Sequence, residues 1–395
     1  MTVPSSDLSR ALAAHYSRFR VAERLLLTGH SHQAWPDVGF EGQVEAWSDA
    51  ASLVDDKWER AFERADRVRR GFAALLGDTD GHITLGANTH ELVVRWLSAL
   101  PLAQRPRLVT TDGEFHSIRR QLDRLAEEGV EVARISSASG HAVAERVVAA
   151  VNERTAGVLV SSVLFTNGHL VPGLDRVADA CARVGAELLV DAYHQLNAVP
   201  LALAEAGLER AFVVGGGYKY CQLGEGNAFL RVPPDCTMRP VITGWYSEFA
   251  ALSERSDGRV AYGAGPARFA GATYDPTSHY RAARVFDFFA ERGLTPALLR
   301  TASQHQVGLL AERFDAMGAD PAVITRDRSV PLSGLGAFLA LTSPEAGRLC
   351  DLLRERGVMA DHRADILRLG PAPYLSDRQL HTAMDALAEA LRNLP

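Results

Sequence analysis

Two lysines stand in a chain of 395 residues that carries 42 lysines and arginines together: Lys57 and Lys219. Almost every place that merely wants a positive charge here has received arginine. Lys219 lies in YKY, inside the glycine-rich run RAFVVGGGYKYCQLGEG, just past an apolar strand-like stretch. A lysine kept there points to chemistry that a guanidinium cannot do. Forming an imine requires a primary amine able to lose its proton, and arginine stays charged. The second chemical residue is Asp191, in ELLVDAYHQ, at the C-terminal end of another apolar run. Ligands of parallel sheets bind at such ends, and a carboxylate there needs a cationic partner. A lysine Schiff base with an aspartate on a pyridinium nitrogen is the arrangement used to hold pyridoxal 5'-phosphate (PLP).

The other requirements of that cofactor have candidates. LGANTHEL places Asn88 and Thr89 at a strand-to-helix junction, where helix N–H groups can hold a phosphate, although the same residues are ordinary N-caps. Phe115 or His116, in DGEFHSIRRQL, could face the ring. His194 could orient Asp191 or touch the ring, and Tyr218 offers a phenol beside Lys219 for the phosphate or a proton relay. Arg368, at the end of the apolar ILRL and before a Gly-Pro turn, is a candidate fork for a substrate carboxylate.

These residues need a scaffold that delivers strand ends to one place. From His82 to Val190 apolar strand-like runs alternate with amphipathic helical ones, which predicts a mainly parallel sheet covered on both faces. A helix is expected over Ser6 to Arg18. Residues 233 to 275 are rich in Pro, Gly, Ser and Thr, and such a long irregular stretch belongs to a binding site or an interface. Beyond it, helices near 278–292, 296–317, 344–356 and 377–394, with strands near Val323, 337–341, 358–360 and 365–368, form a smaller α+β domain. The expected division is an N-terminal segment 1–37, a large domain 38–277 and a small domain 278–395.

A net charge of −6 gives no reason to propose nucleic acid or a membrane surface as partner. Four scattered cysteines without a CxxC pair suggest neither a disulfide framework nor a zinc site. The polar N-terminus lacks the apolar stretch of a signal peptide and no run has the length of a membrane span, so a cytoplasmic location is expected.

DAYHQLNAVP followed by YKY and a glycine-rich loop, then Gly244-Trp245, then RLGPAPY from Arg368 to Tyr374, resembles the class V branch of fold-type I PLP enzymes, and kynureninase above all. GHSHQAWP near the N-terminus resembles that family's Gly-Asn-Ser-Leu-Gly segment. The resemblance implies the PLP-dependent transferase fold of type I and a homodimer with shared active sites. It implies that Lys219 binds the cofactor and that Asn88, Thr89, Phe115, Asp191, His194, Tyr218, Trp245 and Thr273 surround it. It further implies a substrate held by His30, Ser31, Trp245, Tyr274 and Arg368. The activity implied is hydrolytic Cβ–Cγ cleavage of kynurenine or a related γ-oxo amino acid, with a class V aminotransferase or β-elimination lyase as alternative. Two departures stand out: Thr273-Tyr274-Asp275-Pro276 lacks the family's asparagine, and His30 and His32 replace its Asn and Leu.

Overall fold

A computed structural model describes residues 5–78, 81–252 and 258–394. Its twelve strands are β1 (Leu25–Leu26), β2 (Ile83–Gly86), β3 (Arg107–Thr111), β4 (Glu131–Ile135), β5 (Thr155–Ser161), β6 (Glu187–Asp191), β7 (Phe212–Gly216), β8 (Ala228–Arg231), β9 (Leu339–Thr342), β10 (Val358–Met359), β11 (Asp361–Arg363) and β12 (Ile366–Leu369). Seven of them form one sheet in the order β2-β8-β7-β6-β5-β3-β4. The pairs from β4 through β7 are parallel, and β8 alone runs against its neighbours.

The strand sequences are apolar throughout because both faces are covered. Val158, Val160, Leu188, Val190 and Val213 point into the core shared with helices Val143–Ala150 and Leu174–Val184. Leu159, Leu189, Phe212 and Val214, one residue out of phase, point into a second core built on Trp96, Ile118 and Leu122. That alternation is the two-residue period of a strand, here apolar on both sides. Chain order reverses between β3 and β5, the switch point at which ligands of such sheets bind. The sheet is of the mixed, mostly parallel α/β kind that the sequence predicts.

The C-terminal part carries an antiparallel sheet, β11-β12-β9, against helices Pro296–Ala316, Ala346–Glu355 and Asp377–Arg392. Strand β1 pairs in parallel with β10, and Thr28 bridges Gly370, so the N-terminal segment lies against this part. Two local expectations fail. The helix expected over Ser6 to Arg18 is α-helical only over Ser5–Ala13 and then tightens to a 3-10 turn, Ala14–Phe19. Tyr16 breaks the helical backbone there, because its buried ring is drawn inward and its hydroxyl donates to Gln222. Near Val323 only a single bridge, Thr325 to Thr342, replaces the expected strand. Among the described residues no helix is long and apolar enough to cross a membrane.

Candidate active site

Strands β5, β6 and β7 end side by side, and their ends deliver Ser161, Asp191 and, three residues beyond Gly216, Lys219. These side chains line a cavity of about 410 Å³ together with Asn88, Thr89, Phe115, His194 and Tyr218. The sequence-predicted cofactor residues Asn88, Thr89, Phe115, Asp191, His194, Tyr218 and Lys219 are therefore brought to one place. Gly216 is required in this packing: a Cβ there would lie 2.5 Å from the hydroxyl of Tyr193.

Lys219 is only 6% exposed, and its Nζ donates to Nε2 of His194 at 2.6 Å. Tyr193 and Phe115 present their rings to the same nitrogen, with centroids at 4.6 and 5.5 Å. Burial depresses the amine to about 7, against the pull of Asp191, so a large free-base fraction exists near neutrality. His194 is buried too, and burial followed by the Lys219 charge holds its imidazole well below the usual range. It is thus neutral and accepts from Lys219 through Nε2, which leaves the proton on Nδ1, an atom without a partner among the described residues.

Asp191 receives the Tyr193 backbone N–H at 2.9 Å. Burial raises its pKa, while that N–H and Lys219 oppose the rise. Asn88 caps helix Thr89–Ala99 by accepting from the Glu91 N–H at 3.0 Å. The remaining first-turn N–H groups of that helix have no intrahelical acceptor, and a helix start of this kind can bind an anion such as phosphate. Phe115 starts helix His116–Glu127 and meets Phe165 edge-on at 5.3 Å. Tyr218 meets the Tyr193 ring at a tilt, with centroids 4.9 Å apart, and stacks on His32 at 4.9 Å.

The expected substrate residues do not gather here. His30 is wholly buried (0% exposed) and its Nε2 lies 2.7 Å from Asp361, so it braces an acidic side chain instead of facing substrate. Ser31 lies outside the cavity lining, its hydroxyl 3.1 Å from Nδ1 of His32. Trp245 is 44% exposed and packs on Tyr246 and Phe249. Thr273 and Tyr274 line a separate, larger cavity of about 1110 Å³ with Phe62, Tyr246 and His279. The two cavities share Ala87, Glu225 and Gly226, but within one chain Trp245, Thr273 and Tyr274 do not reach Lys219. Arg368 is 3% exposed and already grips Asp361 with Nε at 2.9 Å and Nη2 at 2.6 Å.

Three residues of the cluster have no counterpart in the sequence reading. Tyr193 sits between two residues that were singled out, yet nothing in its type marks it as a ring against Lys219. Glu114 is buried behind Asp191 and accepts from Thr111 Oγ1 at 2.7 Å, Ser161 N at 3.1 Å and Ser161 Oγ at 2.6 Å. Burial lifts its carboxyl to about 7, and the Asp191 charge adds to the rise. Asp361 pairs with Arg368 only because β11 and β12 align them in register. Among the described residues no group of three His, Cys, Asp or Glu is placed to hold a metal ion.

Residues 299–387 match the family described as the kynureninase C-terminal domain. Over most of its length the chain is similar to proteins of known name. It is 23% identical to a kynureninase of Geobacillus thermodenitrificans, over 94% of this chain and 85% of that one. It is 22% identical to an uncharacterized aminotransferase, YcbU, of Bacillus subtilis, over 87% and 89% of the two chains. Its fold is that of C-DES, solved with glycine covalently linked to its PLP cofactor (TM-score 0.83, 16% identity, 95% and 98% coverage). The cysteine desulfurase CsdA of Escherichia coli shares it as well (TM-score 0.79, 16% identity, 98% and 99% coverage).

The donor set fits PLP. A buried amine of depressed pKa, an acid at the neighbouring strand end, an aromatic face and a helix start with a capping asparagine surround one cavity. The cofactor supplies an electron sink for negative charge at a substrate's α-carbon. The chain thus resembles kynureninases over most of its length, matches their C-terminal domain over residues 299–387, and has the fold of the type I PLP-dependent transferases.

Proposed function

We propose that the protein hydrolyses the Cβ–Cγ bond of kynurenine or a related γ-oxo amino acid. The observation that carries this reading is the buried Lys219 amine, paired to a neutral histidine and flanked by Asp191 at adjacent strand ends. Lys219 would hold the cofactor covalently, and Asp191 would keep its ring nitrogen protonated. Asn88, Thr89 and Tyr218 hold the phosphate, and Phe115 covers the ring. Lys219 would take the α-proton of the substrate at Nζ, which its depressed pKa makes possible near neutrality. A water then adds to the γ-carbonyl, the Cβ–Cγ bond breaks, and alanine and a carboxylic acid leave. Arg368 receives the substrate's α-carboxylate.

The active form in this reading is a cytoplasmic homodimer, with the chain divided at 37 and 277. Phe40, Val44 and Trp47 on one face of helix Val38–Leu53 are exposed, as are Val241, Ile242, Trp245 and Phe249. Apolar surface of that extent fits a second copy of the chain. In that copy's site Trp245, Thr273 and Tyr274 act, which explains why a single chain leaves them away from Lys219.

One observation favours a second reading, an aminotransferase or β-elimination lyase. Thr273-Tyr274-Asp275 offers no asparagine amide for an aryl ketone. A persulfide-forming desulfurase is disfavoured, because Cys350 is buried in helix Ala346–Glu355 with its thiol 3.3 Å from the Ala360 carbonyl. The deciding experiment incubates holoenzyme with L-kynurenine and with 3-hydroxykynurenine. Alanine without α-keto acid is the expected product. Pyruvate with ammonia would establish elimination instead, and consumption of an added keto acid would establish transamination.

A further inference from the structure

Arg368 ends up near Lys219 without lining its cavity. Its Nη1 donates at 2.6 Å to the carbonyl of Phe165, a residue of the cavity wall, and its charge is felt at Lys219. A guanidinium has five N–H groups. Three are committed: Nε and one Nη2 hydrogen to Asp361, one Nη1 hydrogen to Phe165. One remains on each terminal nitrogen.

The counter-ion is itself fixed. His30 is buried and its imidazole is pushed down to about 4, so it is neutral and donates Nε2–H to Asp361. Room for that ring exists because position 370 is glycine, where a Cβ would lie 2.2 Å from Nδ1 of His30. Arg363, more exposed, approaches the other oxygen of Asp361 at 3.6 Å. The carboxylate-binding arginine of the proposed reaction therefore already holds a carboxylate.

We propose that Asp361, braced by His30, is a specificity-determining residue: an internal carboxylate that masks Arg368 against free anions and admits only an α-carboxylate whose own amine is captured at Lys219. The proposal deepens the functional reading above and rests on it. A second carboxylate must share the guanidinium with Asp361 and meets like-charge repulsion that discriminates against it. An α-amino acid overcomes this because its amine is tethered to the site, so its carboxylate is presented intramolecularly. A monocarboxylate without an amine has no such help. Thus α-amino acids are taken and simple organic acids are refused.

The test uses holoenzyme, L-alanine and propionate, at fixed ionic strength. L-alanine binding is read from the cofactor band at roughly 400–430 nm, with propionate as competitor, and the thermal midpoint is followed against propionate. In Asp361→Asn the unmasked Arg368 gains by recruiting an anion. Propionate should compete at least about tenfold more strongly than in wild type and should raise the midpoint, with no rise expected in wild type. An unchanged or weaker propionate effect in Asp361→Asn would overturn the proposal. Adding Arg363→Gln should preserve the gain; its disappearance would place the anion on the outer arginine and also overturn it. Should Asp361→Asn fail to fold, His30→Leu frees Asp361 without altering charge, and it must show the same direction at a few-fold size. A wild-type band that responds to no amino acid would sink the functional reading, while the propionate dependence of the midpoint would still judge Asp361.

Discussion

Two buried cations stand close together and are treated in opposite ways. Arg368 is gripped on one edge by Asp361, whose carboxyl is in turn held far below its usual range by His30 and Arg368 despite its partial burial. Lys219 has no carboxylate within hydrogen-bond distance among the described residues; its partner at 2.6 Å is a neutral imidazole. The same burial that is compensated at Arg368 is left largely uncompensated at Lys219, and the amine falls to about 7. The pair shows how a fold separates a cation meant to stay charged from one meant to lose its proton.

The most severe way to break the difference is Lys219→Arg, which puts a permanent cation in the uncompensated position. Bound cofactor, read from its visible absorption, should be lost, and turnover should fall by at least about 10³-fold. A variant that keeps the band and the activity would refute the assignment. A milder change gives Lys219 what Arg368 has. In wild type the amine is protonated below about 7 and free above it, so the rate at which cofactor-free protein takes up PLP should rise as pH climbs through that value. His194→Glu places a carboxylate beside Nζ and favours the ammonium, so the midpoint of that rise should move up by about one to two pH units. A midpoint that stays put would mean that burial alone sets the amine.

Much of the Lys219 half of this comparison was legible in the sequence, because its signals are local. Lys219 stands out among arginines, Asp191 ends an apolar run, and Asn88 precedes a helix. Each is a residue type at a strand end or helix start. The sheet itself is written in runs such as Val158 to Val160, apolar on both faces. Arg368 could be named from its strand end, but the pairing that fixes it was not legible. Asp361 meets Arg368 through the register of a short antiparallel pair, and His30 reaches Asp361 from 331 residues away. Nothing local distinguishes His30, buried behind the site, from His32, which stacks on Tyr218 at its mouth. Trp245, Thr273 and Tyr274, which the family pattern named, lie away from the Lys219 cavity within one chain.

The rule drawn from the cations can be sharpened on an anion. Glu114 is buried to 2% exposure like its neighbours, yet its donors are two hydroxyls and one backbone N–H, with no cation among its hydrogen-bond partners in the described residues. Asp361, with two arginines and a histidine around it, is driven down; Glu114, from an ordinary value of 4.5, is driven up to about 7. The direction fixes the consequence for stability. A carboxyl whose folded pKa lies above its unfolded one binds more protons in the folded state between those values. Its contribution is therefore present below about 4.5 and is lost as pH rises to about 7. Glu114→Gln keeps the shape and removes the titration. Relative to wild type the variant should gain stability progressively across that window, by at most about 3 kcal/mol at the alkaline end, in denaturant unfolding followed at several pH values. A difference between the two proteins that does not change with pH would mean that Ser161 and Thr111 keep Glu114 ionised throughout, and that three neutral donors can do for an anion what Asp361 does for Arg368.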